Sequence, residues 1–263
     1  MTAATGDIDA GAPSRRTSLA PYQAADLVAY VGAAAFVVAA AWYGLITRFV
    51  TVANPPRFDP GMPLDTALHR WFAWFVTTLP QERLDAGIAI AGFLCLVPLA
   101  AFARDLLGRH RVLARVGSAA MPTGALLWVA GNLLQLGGHQ AAGLMATHRN
   151  PVETANSILF TVDMIANAFE LAAFAVLGVA LLAFAGAAVA GPIGNRVVSR
   201  AWCGYSLLLG VVLLALSGAY AAADGDLIDL LLVAGGALLL PAWLVWTGRL
   251  LRAATASQAR NRA

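Results

Sequence analysis

The stretch 157-SILFTVDMIANAFELAAFAVLGVALLAFAGAAVA-190 is almost entirely apolar, and its only charged residues are Asp163 and Glu170. It exceeds the ~20 consecutive apolar residues that a helix needs to cross the hydrocarbon core of a bilayer. A helix of this length has to tilt or to project beyond the membrane. The stretch therefore predicts a transmembrane helix that carries two carboxylates.

The rest of the chain has the same apolar character. Of its 263 residues, 60% are hydrophobic and only 12% are charged, whereas about a quarter of the residues in soluble domains are charged. Further apolar runs predict five more spans, at residues 25–46, 87–103, 117–136, 202–222 and 227–246. We therefore predict an all-α, polytopic integral membrane protein with six transmembrane helices in a bundle, whose first partner is the lipid bilayer.

The predicted transmembrane domain covers residues 25–252. Residues 1–24 are small and polar, with Pro and Gly among them, which is typical of a disordered tail. Residues 253–263 are predicted to form a second short tail. The long loop 48–85 connects the first two spans on the outer side of the membrane.

One part of this loop, 64-LDTALHRWFAWFVTTLP-80, is rich in aromatic residues and begins with charged ones. Tryptophan side chains concentrate at membrane–water interfaces. The segment therefore predicts a short helix that lies in the outer interface and is anchored by Trp71 and Trp74, or a lid over an outward-facing cavity.

Arginines predict the orientation of the chain, because they favour the cytoplasmic side of a membrane. They flank the first and last spans and concentrate in the connections between spans two and three and between spans four and five. The last connection on the opposite side carries Asp224 and Asp226 instead. We therefore predict a bacterial cytoplasmic (inner) membrane protein with both termini in the cytoplasm. Membrane topology also accounts for the pI of about 9.2, so no nucleic-acid partner is predicted.

Several kinds of cofactor chemistry are excluded by composition. The chain contains no lysine, so it cannot form a Schiff base with retinal or pyridoxal phosphate, and it lacks the lysine of a Walker loop. Cys95 and Cys203 are far apart and form no C-x-x-C motif. No pair of histidines is spaced to bind a haem from both sides. The sequence predicts no cofactor.

The two carboxylates of the fourth span belong to a polar stripe. At about 100° per residue, Asn156, Asp163, Asn167 and Glu170 fall within an arc of roughly 60°. A second stripe, in 131-GNLLQLGGHQ-140 on the third span, consists of Asn132, Gln135 and His139.

The third and fourth spans are antiparallel and joined by a short loop, so we expect them to be neighbours. Counting turns places Asn132 level with Asp163, and Glu170 about 10 Å deeper. We therefore predict a polar cleft between these spans that opens to the outside and narrows to Glu170. Tyr220 of the fifth span lies on a face that completes it.

Each polar residue has a predicted role. Ionisable residues inside a membrane usually face the bundle interior and mark function. Asp163 and Glu170 are the candidate catalytic or proton-carrying residues. The candidate ligand-binding residues are Asn132, Gln135, His139, Asn156, Asn167 and Tyr220. No metal site is predicted, because only one histidine is near the carboxylates and Glu170 is too deep to share an ion with it.

Three functions fit this pattern. In the first, the cleft binds or transports a small molecule or ion. In the second, the protein is an intramembrane enzyme, such as a cyclase, an isomerase or a lipid-modifying enzyme, that acts on a lipophilic ligand with Asp163 or Glu170 as acid or base. In the third, it is a non-catalytic subunit of a membrane complex, and the polar groups only hold helices together. Association into a homo-oligomer is left open.

The six-span plan, the long first outer loop and two segments also carry a resemblance. These segments are 161-TVDMIANAFELAAFAVLGVALLAFA-185 and 196-RVVSRAWCGYSLLLGVVLL-214. The chain resembles a broad family of bacterial, often actinobacterial, membrane proteins that carry a domain of unknown function, over most of residues 25–250. The resemblance implies a six-span fold in the inner membrane and no particular activity. The alanine content and the absence of lysine fit an actinobacterial source.

Overall fold

A computed structural model of the chain describes residues 20–42, 61–108, 111–147, 152–190 and 198–260. These residues form helices and no strand. The helices are α1 (Ala20–Ala41), α2 (Leu64–Leu107), α3 (Val112–Thr147), α4 (Val152–Val189), α5 (Arg200–Ala222), α6 (Gly225–Leu232) and α7 (Leu240–Arg260), and a π-helical segment (Val233–Leu239) joins the last two.

Within the described residues, six helices are long and apolar enough to cross a membrane, with the continuous α6–α7 helix as the sixth. This confirms the prediction of an all-α, multi-pass membrane protein. Neighbours in the chain are also neighbours in space: α2 packs on α3, α3 on α4, α4 on α5, and α7 returns to α1. We call the end of the bundle that carries Arg104, Arg111 and Arg200 the arginine end, and the opposite end the far end.

The closest helix pair, α3 and α4, is built on a seven-residue repeat of small residues. The α3 glycines are Gly117, Gly124, Gly131 and Gly138, and the α4 alanines opposite them are Ala166, Ala173 and Ala180. A β-carbon added to Gly124 would lie 3.0 Å from the carbonyl oxygen of Ala173. Small residues at this spacing let two backbones come into contact, which is how transmembrane helices maximise packing without a hydrophobic driving force.

Helix α2 is much longer than a membrane requires, at about 66 Å for its span of residues. Its buried residues alternate at spacings of three and four, the repeat of a left-handed coiled-coil seam. They include Phe72, Phe75, Leu79, Ala86, Phe93, Leu96, Ala100, Ala103 and Leu107. The segment Leu64–Pro80 is helical, as predicted, but it is the first part of a continuous helix and not a separate short one.

The extended ends of α2, α3 and α4 form a hydrophobic cluster of their own at the far end. It consists of Phe72, Phe75, Leu79, Ala142, Val152, Ala155 and Leu159. The main cluster lies nearer the arginine end and takes residues from every span, with Trp202, Trp243 and Leu244 almost completely buried. The bundle thus has a six-helix part and a three-helix extension, which share α2, α3 and α4.

Indole hydrogen bonds join α5 to the last span. The Nε1–H of Trp202 donates to Oγ1 of Thr247 at 3.1 Å, and the Nε1–H of Trp243 donates to Oγ of Ser206 at 2.9 Å. Each is buried, so each satisfies a polar atom that would otherwise be unpaired in an apolar core.

Both predicted tails differ from the structure. Helix α7 continues to Arg260, so most of the tail predicted over 253–263 is helical. Helix α1 begins at Ala20, inside the predicted tail 1–24, while residues 1–19 of that tail lie outside the described residues. So does most of the predicted outer loop before Gly61.

Candidate functional site

A layer of polar side chains separates the three-helix cluster from the main cluster. It lies where α2, α3 and α4 pass from the extension into the six-helix part of the bundle. Its members are Glu82, Asn132, Gln135, His139, Asp163, Glu170 and Tyr220. The layer brings together most of the residues that the sequence predicted and one that it did not, Glu82.

The centre of the layer is His139, whose imidazole lies between two carboxylates. Its Nε2 is 2.8 Å from Oδ1 of Asp163 on α4, and its Nδ1 is 3.1 Å from Oε2 of Glu82 on α2. The ring packs edge-on to Phe75, with ring centroids 5.2 Å apart. The imidazole is mostly buried, with 11% of its side chain exposed, while Glu82 and Asp163 are 34% and 37% exposed. The exposed surface of the group is therefore mainly that of its two carboxylates.

This geometry constrains the proton on His139. A carboxylate oxygen only accepts hydrogen bonds, so each ring nitrogen has to donate when both carboxylates are ionised. The imidazole is then an imidazolium with two charge-assisted hydrogen bonds. If it loses a proton, one nitrogen lone pair faces a carboxylate oxygen and repels it. Proton occupancy of His139 therefore controls whether the three side chains can stay together.

A second group of polar side chains lies about two helical turns closer to the arginine end. Asn132 donates from Nδ2 to the backbone oxygen of Trp128 at 3.1 Å, and to Oε1 of Glu170 at 3.4 Å. The side chain of Tyr220, on α5, is also a hydrogen-bonding neighbour of Glu170. Its ring stacks on Phe174, with centroids 5.8 Å apart. The structure therefore brings Tyr220 next to the carboxylate of Glu170, and its role as a ligand-binding residue stays a prediction.

Gln135 belongs to the His139 group, because its Nε2 donates to Oδ1 of Asp163 at 3.1 Å. Asp163 and Glu170 are two turns apart on α4, which corresponds to about 10 Å along the helix. Counted from Val189 at the arginine end of α4, Glu170 lies at about 28 Å and Asp163 at about 39 Å. A hydrocarbon core about 30 Å thick that began at Val189 would end near Glu170 and would leave the His139 group beyond it.

The pairing of α3 with α4 differs from the predicted one. Asn132 was expected beside Asp163, but its side chain meets Glu170, and Asp163 meets His139. The cause is the tilt of Cα–Cβ bonds toward a helix's own N-terminus. In this antiparallel pair, side chains of α3 lean toward the arginine end and those of α4 lean toward the far end. Side chains that meet therefore start from different levels.

The predicted cleft between the third and fourth spans is also corrected. Gly131 and Gly138 bring α3 into contact with α4, and a β-carbon added to Gly131 would lie 2.8 Å from Cβ of Phe169. The polar residues therefore form a hydrogen-bonded seam along one edge of a tightly packed helix pair. That edge faces α2, which supplies Glu82.

Asn156 and Asn167, predicted as ligand-binding residues, are exposed and stay outside this network in the part of the chain that the structure describes. The face of α4 that meets α3 is centred on Ala166 and Ala173. Asn167 is rotated by about 100° from Ala166, and Asn156 by a similar angle, so both point away from α3. The predicted stripe lies at the edge of the buried face, where small differences in angle decide burial.

Glu82 was missed because the sequence reading assigned it to an outer loop. The spacing of the buried residues in α2 could have indicated it. Leu79, Glu82 and Ala86 continue the three–four repeat of buried residues, and Glu82 is the charged member of that repeat. Thr78, one turn earlier, donates from Oγ1 to the Glu82 carboxylate at 3.3 Å.

The carboxylates and the imidazole bond to one another, and among the described residues no three His, Cys, Asp or Glu side chains are grouped as ligands for one metal ion. Comparison of the chain with models of protein families, with curated proteins and with solved structures gives no match. The resemblance to a family of bacterial membrane proteins stays a prediction. Functional inference therefore rests on the geometry of the polar layer in a multi-pass membrane protein.

Proposed function

We propose that the protein binds a small cation at the Glu82–His139–Asp163 group, in exchange for the proton that His139 carries. The observation that supports this most directly is the imidazole held between two partly exposed carboxylates. With Glu170, the polar layer contains three carboxylates and one histidine, an excess of negative charge. Such an excess at a membrane boundary attracts cations.

The exchange follows from competition for the same oxygens. A protonated His139 occupies one oxygen of Glu82 and one of Asp163. When the proton leaves, the two carboxylates repel each other and the imidazole lone pair. A cation that binds between them restores the balance of charge. Cation affinity is therefore expected to rise with pH, because the proton and the cation are mutually exclusive.

The second carboxylate gives the bound cation a further position. Glu170 lies about 10 Å closer to the arginine end than Asp163, and Gln135, Asn132 and Tyr220 supply polar atoms between and around the two. Transfer from the His139 group to Glu170 would move the cation into the hydrocarbon region. This order of sites supports transport as the purpose of binding.

The orientation that we propose puts the site outside the cell. The arginine end carries Arg104, Arg111 and Arg115 on the α2–α3 side and Arg249 on α7, and arginine-rich connections remain in the cytoplasm. The N-terminus of α1 and the C-terminus of α7 both lie at this end. We propose that the protein lies in a bacterial inner membrane with both termini in the cytoplasm and with Glu82, His139 and Asp163 at the outer face.

Proton release on cation addition tests the proposal. Detergent-purified protein in weakly buffered solution is titrated with ammonium chloride or methylammonium chloride, and a pH-indicator dye reports protons. N-methylglucamine chloride, whose cation is too large for the site, controls for ionic strength. We expect the small cations to release protons from the wild type and not from His139→Gln. Glu153→Gln removes an exposed carboxylate of α4 and should behave as the wild type.

The proposal is wrong if His139→Gln releases as many protons as the wild type, or if N-methylglucamine releases as many as ammonium and methylammonium. Loss of release in Glu153→Gln would show that the response comes from the general surface charge. Melting curves of all three proteins establish that each is folded at the temperature of the titration.

An intramembrane acid–base enzyme is the second function that a specific contact favours. Asp163 Oδ1 accepts from both His139 and Gln135, an oriented carboxylate–imidazole pair of the kind that moves protons in catalysis. A lipophilic substrate would reach it from the bilayer. Incubation of the wild type and Asp163→Asn with a bacterial lipid extract tests this, because an enzyme consumes a component that the variant leaves intact.

A further inference from the structure

A long apolar groove runs between α1 and the last span, on a part of the bundle remote from the polar layer. Its volume is about 860 Å³. Its lining includes Val37 of α1 and Pro241 and Val245 of α7. Small residues on both helices, such as Ala34 and Ala242, keep it open. The groove extends about 12 Å along α7, from Pro241 to Arg249.

One end of the groove is chemically different from the rest. Tyr30 and Trp246 lie there, next to the exposed guanidinium of Arg249. The hydrogen bond from Trp202 to Thr247 places this part of α7 level with the start of α5. Arg249 is therefore at the level of Arg200, at the arginine end. Aromatic and basic side chains at this level are typical of the boundary where lipid headgroups begin.

We infer that this groove binds an anionic glycerophospholipid of the leaflet at the arginine end, with an acyl chain along α1 and α7 and the headgroup phosphate on Arg249. The two parts of the groove match the two parts of such a lipid. An acyl chain fits between Val37, Val245 and Pro241, and a guanidinium forms paired hydrogen bonds with phosphate oxygens. Basic pockets between transmembrane helices recognise anionic headgroups in the same way.

A second copy of the chain fits this surface less well. A two-fold dimer puts the same patch of each subunit against itself, so that two concave grooves would face each other across a void. It would also bring two Arg249 side chains together. A flexible acyl chain fills a concave surface, and a phosphate neutralises the arginine. The charge and the shape of the groove both favour lipid.

Native mass spectrometry with competing lipids tests the inference. Purified protein in mild detergent is mixed with equal amounts of phosphatidylglycerol and phosphatidylcholine that have identical acyl chains. We expect the wild type to retain phosphatidylglycerol preferentially. Arg249→Gln should lower the phosphatidylglycerol-bound fraction about fivefold, the change expected for one basic residue at an anionic lipid. Arg200→Gln, at the same level but outside the groove, should leave it unchanged.

A second pair of variants tests the acyl-chain part. Ala242→Phe fills the groove from an exposed position, and Ala91→Phe adds the same bulk to an exposed position on α2. We expect Ala242→Phe to lose bound lipid of both types and Ala91→Phe to keep it. Equal losses in Arg249→Gln and Arg200→Gln would overturn the inference. So would a dimer that Ala242→Phe abolishes while the amount of bound lipid stays constant.

Discussion

Glu82 on α2 and His139 on α3 meet at 3.1 Å between Oε2 and Nδ1, although 57 residues separate them in the chain. The contact depends on a continuous α2 that extends well beyond the main cluster. It joins α2 to the His139–Asp163 pair and gives the site its second carboxylate. The Glu82–His139–Asp163 group is therefore a three-helix feature, and its charge balance depends on all three helices.

The coupling between Glu82 and His139 is the first prediction. In a double-mutant cycle with Glu82→Gln and His139→Gln, we expect a coupling of about 1 kcal/mol in the free energy of unfolding in mild detergent, a modest value because Glu82 is partly exposed to solvent. The same cycle with Glu153→Gln in place of Glu82→Gln should give no coupling. Additive effects of Glu82→Gln and His139→Gln would show that the contact contributes nothing to stability.

The glycine repeat of α3 gives a matched pair of substitutions. A β-carbon at Gly124 would lie 2.7 Å from Cγ of Leu177, whereas one at Gly137 would have no neighbour within 4 Å. We expect Gly124→Ala to destabilise by about 1–3 kcal/mol through overpacking. Gly137→Ala should stabilise by about 0.5–1 kcal/mol, because alanine favours helix over glycine. Thermal unfolding of both variants checks this, and an equal effect of the two would contradict close α3–α4 packing.

Asn132 and Asn167 are predicted to differ although both are asparagines in spanning helices. Asn132→Leu removes a donor to Glu170 and should cost about 1–3 kcal/mol, because it leaves a half-buried carboxylate without that partner. Asn167 is exposed, so Asn167→Leu should change stability by no more than about 0.5 kcal/mol. Melting temperatures of the two variants and the wild type, measured in the same detergent, check this prediction. A larger loss for Asn167→Leu than for Asn132→Leu would argue against the polar layer described above.

The buried indole bond between α5 and α7 is expected to be worth about 1 kcal/mol. Trp243 and Ser206 are both completely buried. A cycle with Trp243→Phe and Ser206→Ala should show coupling of that size in unfolding experiments, since each single variant leaves one partner unpaired. A cycle that uses Trp246→Phe in place of Trp243→Phe should show no coupling, because the ring of Trp246 lies against Tyr205, with centroids 5.9 Å apart.

Orientation is checked by thiol labelling of intact cells. In a chain in which Cys95 and Cys203 are replaced by alanine, a single cysteine is introduced at Asp226, at the far end, or at Ser257, near the arginine end. We expect a membrane-impermeant maleimide to label Asp226→Cys and to label Ser257→Cys only after the cells are permeabilised. The reverse pattern would place the His139 group in the cytoplasm.

The residues of the site were only partly predictable. Asn132, Gln135, His139, Asp163 and Glu170 stand out because polar residues are rare in apolar helices and their helical phase can be read directly. Their partners were harder to assign. The lean of side chains toward the helix N-terminus shifts each contact by more than a turn, and the edge position of the stripe leaves Asn156 and Asn167 outside.

The apolar runs of the sequence determined by themselves that this is an all-α protein with six membrane-spanning helices, because runs such as 157–190 have no other stable environment. Tertiary structure decided what those helices do together. Whether Leu64–Pro80 lies flat or continues α2 depends on the partners that bury Phe72 and Phe75, and these partners are on α3 and α4. The approach of Gly124 to Ala173, and the meeting of Glu82 with His139, depend on distances between helices that no local pattern specifies.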